Sequence, residues 1–334
     1  MCGMSKTLVA PSRPSPSAPG AHPVVLGVLP DSPLLSVIVP SFNQGAFIEE
    51  TIESALAQDY RPIEIIIVDG ASSDQTLEVL ERYRGVDEVR WLSEPDSGVV
   101  EAVNKGFALA RGQILAIQSS DDLYLPGAFQ RAVDFLRAHP SVGLAFGDVV
   151  KVDAEGQELH RTAHPPYSLE GFLRKTFYIP QPTAFFRREM VEELGGWDER
   201  YFIADTELWL CMLFRTEVQK IDSLLGKYRL HDNQRDHQAA RIVKDYRRMI
   251  AASPEIAALP PRLRRVAEAG AHLTAMRYNP SGSYLLQSLH LWRAIWCDPG
   301  QLVRFWRSPL IVPGYLSLKV LAARLKRGVS RSTR

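Results

Sequence analysis

The 334-residue chain has few cysteines and no long apolar segment. Its cysteines, Cys2, Cys211 and Cys297, are far apart and odd in number, which argues against a disulfide framework and a cysteine-based zinc site and favours a reducing compartment. No stretch reaches the roughly 18 uninterrupted apolar residues that a membrane-spanning helix needs. The apolar stretches near the N-terminus are short and interrupted by proline, unlike a signal peptide. We therefore expect a cytoplasmic protein, with any membrane contact peripheral and on the inner face.

The chain also has little net charge, +1, but the charge is unevenly distributed. Residues 241–334 contain 17 Lys and Arg against 4 Asp and Glu, whereas the remaining 240 residues contain 22 against 34. Such a basic region predicts an anionic partner, for example phospholipid or a phosphate-bearing acceptor. We do not expect nucleic acid, because no helix-turn-helix, zinc-finger or RNA-recognition pattern is present.

Strand and helix patterns alternate from residue 34 onward, which predicts an α/β sheet that is largely parallel. Buried strands are predicted at 35–40, 64–69, 89–92 and 114–117. Helices are predicted between them at 46–58, 75–83 and 99–110. After Pro126 the pattern is mixed, with strands predicted at 142–152 (bent near residue 147), 183–186 and 218–221. We predict a disordered tail (1–33), an α/β domain (34–233) and a basic helical region (234–334).

Polar residues follow the predicted strands at the point where each strand ends. They are Pro40–Asn43, Asp69–Asp74, Glu94–Asp96 and Ser120–Asp122. In open α/β sheets this edge binds ligands. The adjacent carboxylates of Asp121 and Asp122 repel each other unless a cation or a donor-rich ligand lies between them, and a hard divalent cation that bridges to phosphates would meet that need. The alternative is a surface turn in which Asp121 caps the next helix.

Nine motifs along this region resemble the inverting glycosyltransferases of family 2, of the bacterial polysaccharide type. They are Ser36–Gln44, Ile67–Asp74, Ser93–Gly98, Asn104–Gly106, Ser119–Asp122, Pro180–Thr183, Gly195–Glu199, Asp205–Trp209 and Tyr228–His231. They occur in the family's order and cover about residues 34–233. The resemblance implies the GT-A fold, which is Rossmann-like with a mostly parallel central sheet flanked by helices, here with a C-terminal helical extension.

The resemblance also implies a nucleoside-diphosphate-sugar donor, with a UDP-sugar favoured, and a glycan or lipid-linked glycan acceptor. The implied nucleotide contacts are Pro40, Ser41, Asn43, Asp69, Asp96, Asn104, Lys105 and Asp121. Asp122 would ligate Mg²⁺ or Mn²⁺ on the diphosphate, and His231 would complete the coordination. Two of these residues have simpler explanations: Asp69 could cap a helix or form a salt bridge, and Lys105 could be a solvated helical lysine.

Inverting transfer needs a base that takes the proton of the acceptor hydroxyl. Asp205 is the candidate, with Glu207 as a second possibility; many family members have Glu-Asp at this point, whereas this chain has Ala204 before Asp205. The alternative is that Asp205 only caps its helix. Further diphosphate or acceptor contacts are implied at Arg229, Gln181, Thr183 and Trp197.

Two other functions compete with metal-dependent glycosyl transfer. A nucleotidyltransferase would be expected to carry a glycine-rich, basic loop after the first strand, but Ser41–Gly45 contains no basic residue. A non-catalytic nucleotide-sugar or glycan-binding module would not need Asp205. The C-terminal region likewise has two interpretations: basic amphipathic helices on an anionic membrane, or a helical subdomain packed on the core with a solvated basic face.

Overall fold

The computed structural model describes residues 22–231, 238–279 and 282–305, together with residues 308 and 310. Residues 1–21 of the predicted tail lie outside this range, as do Trp306 and residues 316–325 of the predicted membrane-contacting region. Two compact units are present. The first comprises Met1–Leu169 and Phe177–Arg235, and the second comprises Glu170–Thr176 and Asp236–Arg334.

A single sheet forms the centre of the first unit, and nine strands of the described residues belong to it. They are β1 (Leu35–Ser41), β2 (Ile63–Asp69), β3 (Val89–Ser93), β4 (Ile114–Ile117), β5 (Leu123–Tyr124), β6 (Val142–Val152), β7 (Glu158–Thr162), β8 (Ala184–Arg187) and β9 (Glu217–Arg229). Their order is β3-β2-β1-β4-β8-β6-β9-β5, with β7 paired to β6. Strands β1 to β4 are parallel to one another, as is the β6–β9 pair, whereas β8 runs antiparallel to both β4 and β6. The predicted, largely parallel α/β sheet is therefore confirmed.

Helices surround this sheet. They are α1 (Ile48–Leu56), α2 (Thr76–Glu81), α3 (Val99–Leu109), α4 (Ala128–Ala138), α6 (Arg188–Leu194) and α7 (Ala204–Leu213), with a 3₁₀ turn at Gln181–Thr183; α5 (Leu169–Leu173) belongs almost entirely to the second unit. Gly106 lets α3 approach the sheet closely, because a Cβ at this position would lie 2.3 Å from the side chain of Ile38 in β1. The parallel strands β1, β2 and β4 are buried on both faces, so their sequences are almost continuously apolar.

The second half of the sheet differs from its prediction in two places. β9 extends to Arg229, eight residues beyond the predicted end. The prediction stops early because the later residues of β9 include half-exposed polar ones and therefore give a weak apolar signal. β6 is one strand, and its register against β9 shifts around Asp148, where the sequence predicts a bend. The short strands β5 and β7 carry too few apolar residues to be predicted.

Residues 22–33, the described part of the predicted tail, form no helix or strand but are hydrogen-bonded to the first unit. The backbone N–H of Val24 donates to the carbonyl of Arg215 over 2.8 Å. The buried guanidinium of Arg187 donates to the carbonyl of Gly27 over 2.9 Å. The backbone of this segment is therefore fixed by specific partners.

The second unit is helical, as predicted for the C-terminal extension. Its helices are α8 (Ala239–Ala252), α9 (Pro254–Ala258), α10 (Pro261–Arg277), α11 (Tyr284–Cys297) and α12 (Gly300–Phe305). Helices α10 and α11 share an apolar core of Ala269, Leu273, Leu291, Ala294 and Ile295. Within the described part of the chain, no helix has the length and apolar character needed to cross a membrane.

Candidate active site

The loops that follow β1 and β2 are joined by hydrogen bonds. The N–H of Asn43 donates to the Ser72 hydroxyl over 2.7 Å, and the N–H of Ser73 donates to the Asn43 side-chain oxygen over 2.9 Å. The N–H of Gln44 donates to the Thr76 hydroxyl over 2.9 Å. Asn43 and Ala71 have positive φ angles of 54° and 60°, a conformation that most side chains avoid and that these contacts hold in place. The two loops therefore form one rigid edge.

Asp69 ends β2 with a fully buried carboxylate. The N–H of Ser72 donates to it over 2.9 Å, the Ser93 hydroxyl donates over 2.7 Å, and the Ser72 hydroxyl donates to its other oxygen. No cation among the described residues pairs with it, so within this part of the chain its partners are hydroxyl and amide donors. Such donors are neutral, so a cation or a donor-rich ligand could still interact with this carboxylate.

Asp96 lies against the backbone at the end of β2, since a Cβ on Gly70 would come within 2.9 Å of its carboxylate. Burial raises the pKa of Asp96 above its ordinary range, and the neighbouring charges of Glu101 and Asp69 add to the shift. A half-buried carboxylate with a raised pKa is a frequent feature of binding sites.

Lys105, on α3, is not a solvated lysine. Its ammonium lies 2.7 Å from Glu94 and 2.8 Å from Glu101, and its side chain is only 17% exposed. Although burial works in the opposite direction, the hydrogen bonds to Glu101 and Glu94 raise the pKa of Lys105. The lysine is charged but already compensated, so a phosphate would have to compete with two carboxylates.

Asn104, the neighbour of Lys105, is bonded to the turn before α7. Its side-chain N–H donates to the carbonyl of Trp197 and its side-chain oxygen accepts from the Trp197 N–H, both over 2.9 Å. Gly196 makes this approach possible, because a Cβ there would lie 2.7 Å from the Asn104 oxygen. This contact gives Asn104 a positioning role, and its contact with the nucleotide stays a prediction. Trp197 is itself only 3% exposed.

The adjacent carboxylates after β4 are held by partners more than a hundred residues away. The N–H of Arg229, at the end of β9, donates to Asp122 Oδ1 over 2.8 Å. Nε2 of His231 lies 2.9 Å from Asp121 Oδ2. The hydroxyl of Thr51 donates to the carbonyl of Asp122 over 2.9 Å. Asp122 is 1% exposed, so the surface-turn alternative does not describe this pair.

Arg229 organises the surroundings of this pair. Its guanidinium donates to the carbonyls of Asp121 and Ala154 over 2.9 and 2.6 Å and to the carboxylate of Glu50. It also lies 5.0 Å above the ring of Phe47. The side chain is 2% exposed, which gives it a role within the protein, and direct contact with a diphosphate stays a prediction.

The donor set at Asp121, Asp122 and His231 fits part of the coordination sphere of a divalent cation. Cis ligands around an octahedral Mg²⁺ or Mn²⁺ ion are about 3 Å apart, given metal–ligand distances of about 2.1 Å. The 2.9 Å between Asp121 Oδ2 and His231 Nε2 matches this separation. No group of three or more His, Cys, Asp or Glu side chains among the described residues forms a complete metal site. Further ligands would have to come from a substrate and from water.

The 3₁₀ turn connects this cluster to the middle of the sheet. The amide of Gln181 donates to the Ser119 hydroxyl over 3.4 Å, two residues before Asp121. Thr183 is fully buried and donates to the carbonyl of Gly147 over 2.8 Å. Gln181 is therefore near the cluster, whereas Thr183 fixes the turn that carries it.

Asp205 is the second residue of α7, and Ile203 occupies the N-cap position, so the prediction that Asp205 only caps the helix is wrong. Its side chain is partly exposed, whereas Glu207 is 7% exposed and accepts from the Cys211 thiol over 3.2 Å. Helix α7 packs against β9, the strand that ends at Arg229. Asp205 is thus the more accessible of the two candidate bases.

Several residues of the site are not predicted by the sequence. Ser72 and Ser93 donate to Asp69, and Glu50 accepts from Arg229. Thr51 donates to the carbonyl of Asp122. Ser72 lies inside a recognised motif, so its position beside Asp69 is a usable signal. Gln118, immediately before Ser119, is fully buried, and neither its amide nitrogen nor its amide oxygen has a partner among the residues that the structure describes.

Comparison with known proteins identifies the same region. A family model described as glycosyl transferase family 2 matches residues 36–195. The glycosyltransferase TuaG of Bacillus subtilis, named for teichuronic acid biosynthesis, is 31% identical over 207 residues, which are 60% of this chain and 81% of TuaG. An uncharacterized glycosyltransferase of Mycobacterium tuberculosis strain H37Rv is 31% identical over 228 residues, 65% of this chain and 83% of the relative.

Two solved structures share the fold. The mannosyltransferase PcManGT of Pyrobaculum calidifontis, in complex with GDP-Man and Mn²⁺, superposes with a TM-score of 0.58 at 21% identity, over 93% of this chain and 90% of that one. TarS of Staphylococcus aureus (residues 1–349), in complex with UDP-GlcNAc, superposes with a TM-score of 0.55 at 17% identity, over 82% and 91%. At these identities the likeness establishes the fold, and the predicted GT-A fold class is confirmed.

Proposed function

This chain belongs to glycosyltransferase family 2, and on that premise we propose that it is a metal-dependent, inverting hexosyltransferase. The donor would be a nucleoside-diphosphate sugar, and the acceptor a hydroxyl of a glycan or lipid-linked glycan in cell-surface polysaccharide synthesis. The name of TuaG supports the acceptor class, and the nucleotide sugars bound to TarS and PcManGT support the donor class.

The nucleotide would bind along the edge formed by the loops after β1, β2 and β3. Asp69 and Asp96 are the carboxylates available there. An N–H group of a nucleotide base could donate a hydrogen bond to either of them. Pro40, Ser41 and Asn43 would line the base with backbone and small polar groups. The joined loops would keep this edge in one conformation, so little ordering would be required on binding.

The diphosphate would bind at the Asp121–Asp122 pair. Asp122 would hold the cation, Asp121 would lie between the ribose and His231, and His231 would complete the protein's share of the ligands. A bound Mg²⁺ or Mn²⁺ would stabilise the negative charge that grows on the departing diphosphate. Arg229 would keep both carboxylates in place through its backbone N–H and its guanidinium, so that the site is formed before the donor arrives.

The base would be Asp205. As the acceptor oxygen forms its bond to the anomeric carbon, its proton would pass to the Asp205 carboxylate. The bond from the anomeric carbon to the phosphate oxygen would break at the same time, and its electron pair would leave with the nucleoside diphosphate. Single displacement from the opposite face inverts the anomeric configuration. Glu207 is the weaker candidate because it is buried and bonded to the Cys211 thiol.

One observation carries the proposal: Arg229 and His231 contact the adjacent Asp121 and Asp122 at the carboxyl edge of the sheet, although more than a hundred residues separate the two pairs in sequence. Two adjacent carboxylates repel each other, and a cation bridging to phosphates would offset that repulsion. A nucleotide diphosphate with its cation provides one.

The test is a screen of UDP-, GDP- and dTDP-sugars with Mg²⁺ or Mn²⁺, in which release of nucleoside diphosphate is measured. With an active donor, Asp205→Asn should lower the turnover about 10²- to 10⁴-fold, the range for loss of a general base, while the donor affinity changes little. Glu199→Gln, which alters an exposed carboxylate before α7, is the matched control and should keep wild-type activity.

Two outcomes would contradict the proposal. Full turnover by Asp205→Asn, together with loss of turnover in a folded Glu207→Gln variant, would move the base to Glu207. If the chain bound nucleotide sugars but released no nucleoside diphosphate with any of the cell extracts added as a source of acceptor, that result would favour a non-catalytic binding module.

A further inference from the structure

Helix α11 of the second unit is buried along one side only. On that side Leu291 and Ala294 are fully buried against Ala269 and Leu273 of α10. This packing fixes the rotation of α11 about its axis. The opposite side of the helix therefore faces away from the core of its own unit.

That opposite side is apolar and exposed. Leu285, Leu289, Trp292 and Trp296 are 79%, 42%, 46% and 88% exposed, and we refer to these four residues as the tryptophan face. Their spacing of four, three and four residues places them in one stripe along the helix. Val303 of α12, which follows directly in the chain, is also 78% exposed. Large apolar side chains in one exposed stripe mark an interaction surface.

Charged residues lie beside the tryptophan face, and the basic ones outnumber the acidic one. Arg293 is the one charged residue of α11, and it is exposed. Arg265 of α10 lines a cleft of about 520 Å³ together with Trp292 and Trp296, and Glu268 is the one acidic residue in that lining. In the sequence, residues 311–334 contain six Lys and Arg and no Asp or Glu.

We infer that the tryptophan face is a docking surface for an anionic phospholipid bilayer, on which α11 lies in the plane of the interface. Tryptophan is enriched at membrane–water interfaces, where its ring is partly buried and partly hydrated. Basic residues beside an apolar helical stripe add attraction to anionic headgroups. With 14 residues the helix is about 21 Å long, too short to span the hydrocarbon core.

A second copy of the chain fits this surface less well. Beside each tryptophan face the exposed Arg265 and Arg293 outnumber Glu268, so two such faces in contact would carry net charge of the same sign, which opposes association. An anionic lipid surface neutralises the same arginines. The inference concerns the second unit alone and does not depend on the proposed transferase activity.

The experiment is sedimentation of the full chain with vesicles. Phosphatidylcholine vesicles with about a third of phosphatidylglycerol are compared with pure phosphatidylcholine at low and high salt. The wild type should bind the anionic vesicles, with a blue shift of tryptophan emission, and binding should weaken in high salt. Trp292→Ala/Trp296→Ala should lower the partition coefficient about tenfold or more, because both rings leave the interface.

Leu159→Ala is the matched control, since Leu159 is an exposed apolar residue of β7 in the other unit and should leave vesicle binding unchanged. Circular dichroism and light scattering after size-exclusion chromatography are recorded for each variant. Unchanged vesicle binding by a folded double variant, or no binding by the wild type, would overturn the inference. A wild-type dimer that the double substitution converts to monomer would overturn it in favour of self-association.

Discussion

Strand β2 has a buried carboxylate at each end, and the two are held in opposite ways. Glu64, at the amino end, is 3% exposed and pairs with the guanidinium groups of Arg90 and Arg111, 2.7 and 2.9 Å away. Asp69, at the carboxyl end, is fully buried and is held by hydroxyl and amide donors, with no cation partner among the described residues.

The difference separates structural carboxylates from those available to a ligand. Although burial raises it, hydrogen bonds from Ser36 and Arg111 and the charge of Arg90 lower the pKa of Glu64 below its usual value of 4.5. Glu64 therefore joins β2 to Arg90 in β3 and to Arg111 in the loop before β4. At the other end, the donors to Asp69 among the described residues are hydroxyl and amide groups, and a cation or a donor-rich ligand can use its charge. On the proposed function, the carboxyl edge serves binding, whereas the ion pairs of Glu64 at the amino edge serve stability.

The largest effect that would test this contrast is expected at Asp122. Asp122→Asn removes a charge from the candidate cation site, and a cation supplies several kcal/mol of charge stabilisation in such reactions, so turnover should fall about 10³-fold. The free energy of unfolding should change little at neutral pH, because the neutral amide keeps an oxygen for the Arg229 N–H. Steady-state kinetics and urea denaturation of the same sample measure both. If Asp122→Asn turned over as fast as the wild type at low Mn²⁺ concentration, Asp122 would not be the cation ligand.

Glu64→Gln should show the reverse pattern. It removes a buried ionised acceptor from the half-buried Arg90 and the exposed Arg111, and we expect a loss of about 2 kcal/mol in the free energy of unfolding at pH 7. Because the folded pKa is lowered, the stabilisation by Glu64 is present above its unfolded pKa and lost as the pH falls through the folded value. The deficit of the variant should therefore shrink in acid. An equal deficit at pH 7 and pH 3 would contradict the ion-pair account.

The smallest effect is expected at Asp96. Because burial raises the pKa of Asp96, its stabilising contribution is present below the usual value of 3.8 and lost as the pH rises through the folded value. Asp96→Asn should thus raise the melting temperature slightly at pH 7 and leave it unchanged at pH 3, while the KM for the donor increases. Scanning calorimetry at both pH values and donor kinetics measure this. A lower melting temperature at pH 7 would place Asp96 among the structural carboxylates.

The sequence predicts the parallel half of the sheet and the position of Asp69, Asp96 and the Asp121–Asp122 pair, because buried parallel strands are continuous apolar runs and their ends carry the polar residues. The motifs of the family supply the remaining candidates. What holds these residues is predicted much less well. Local partners such as Ser72 lie within three residues of Asp69 and could be guessed.

Long-range partners could not be predicted from local pattern. The N–H of Arg229 reaches Asp122 across 107 residues, and Asn104 reaches Trp197 across 93. These contacts depend on how β9 pairs with β6 and how α3 packs, which no window of sequence contains. For the same reason Arg229 is predicted as a diphosphate ligand from its motif, whereas its burial and its bond to Glu50 become visible only in the folded chain.

The central claim is that the carboxyl edge binds a divalent cation and a nucleoside diphosphate together. Electron paramagnetic resonance of free Mn²⁺ tests it directly, with UDP and GDP titrated in parallel into wild type and Asp122→Asn. The wild type should bind Mn²⁺ about tenfold or more tightly when its preferred nucleoside diphosphate is present, since each ligand completes the site of the other, and the variant should lose this coupling. Equal Mn²⁺ affinity in the two proteins, or no effect of either nucleotide, would contradict the account.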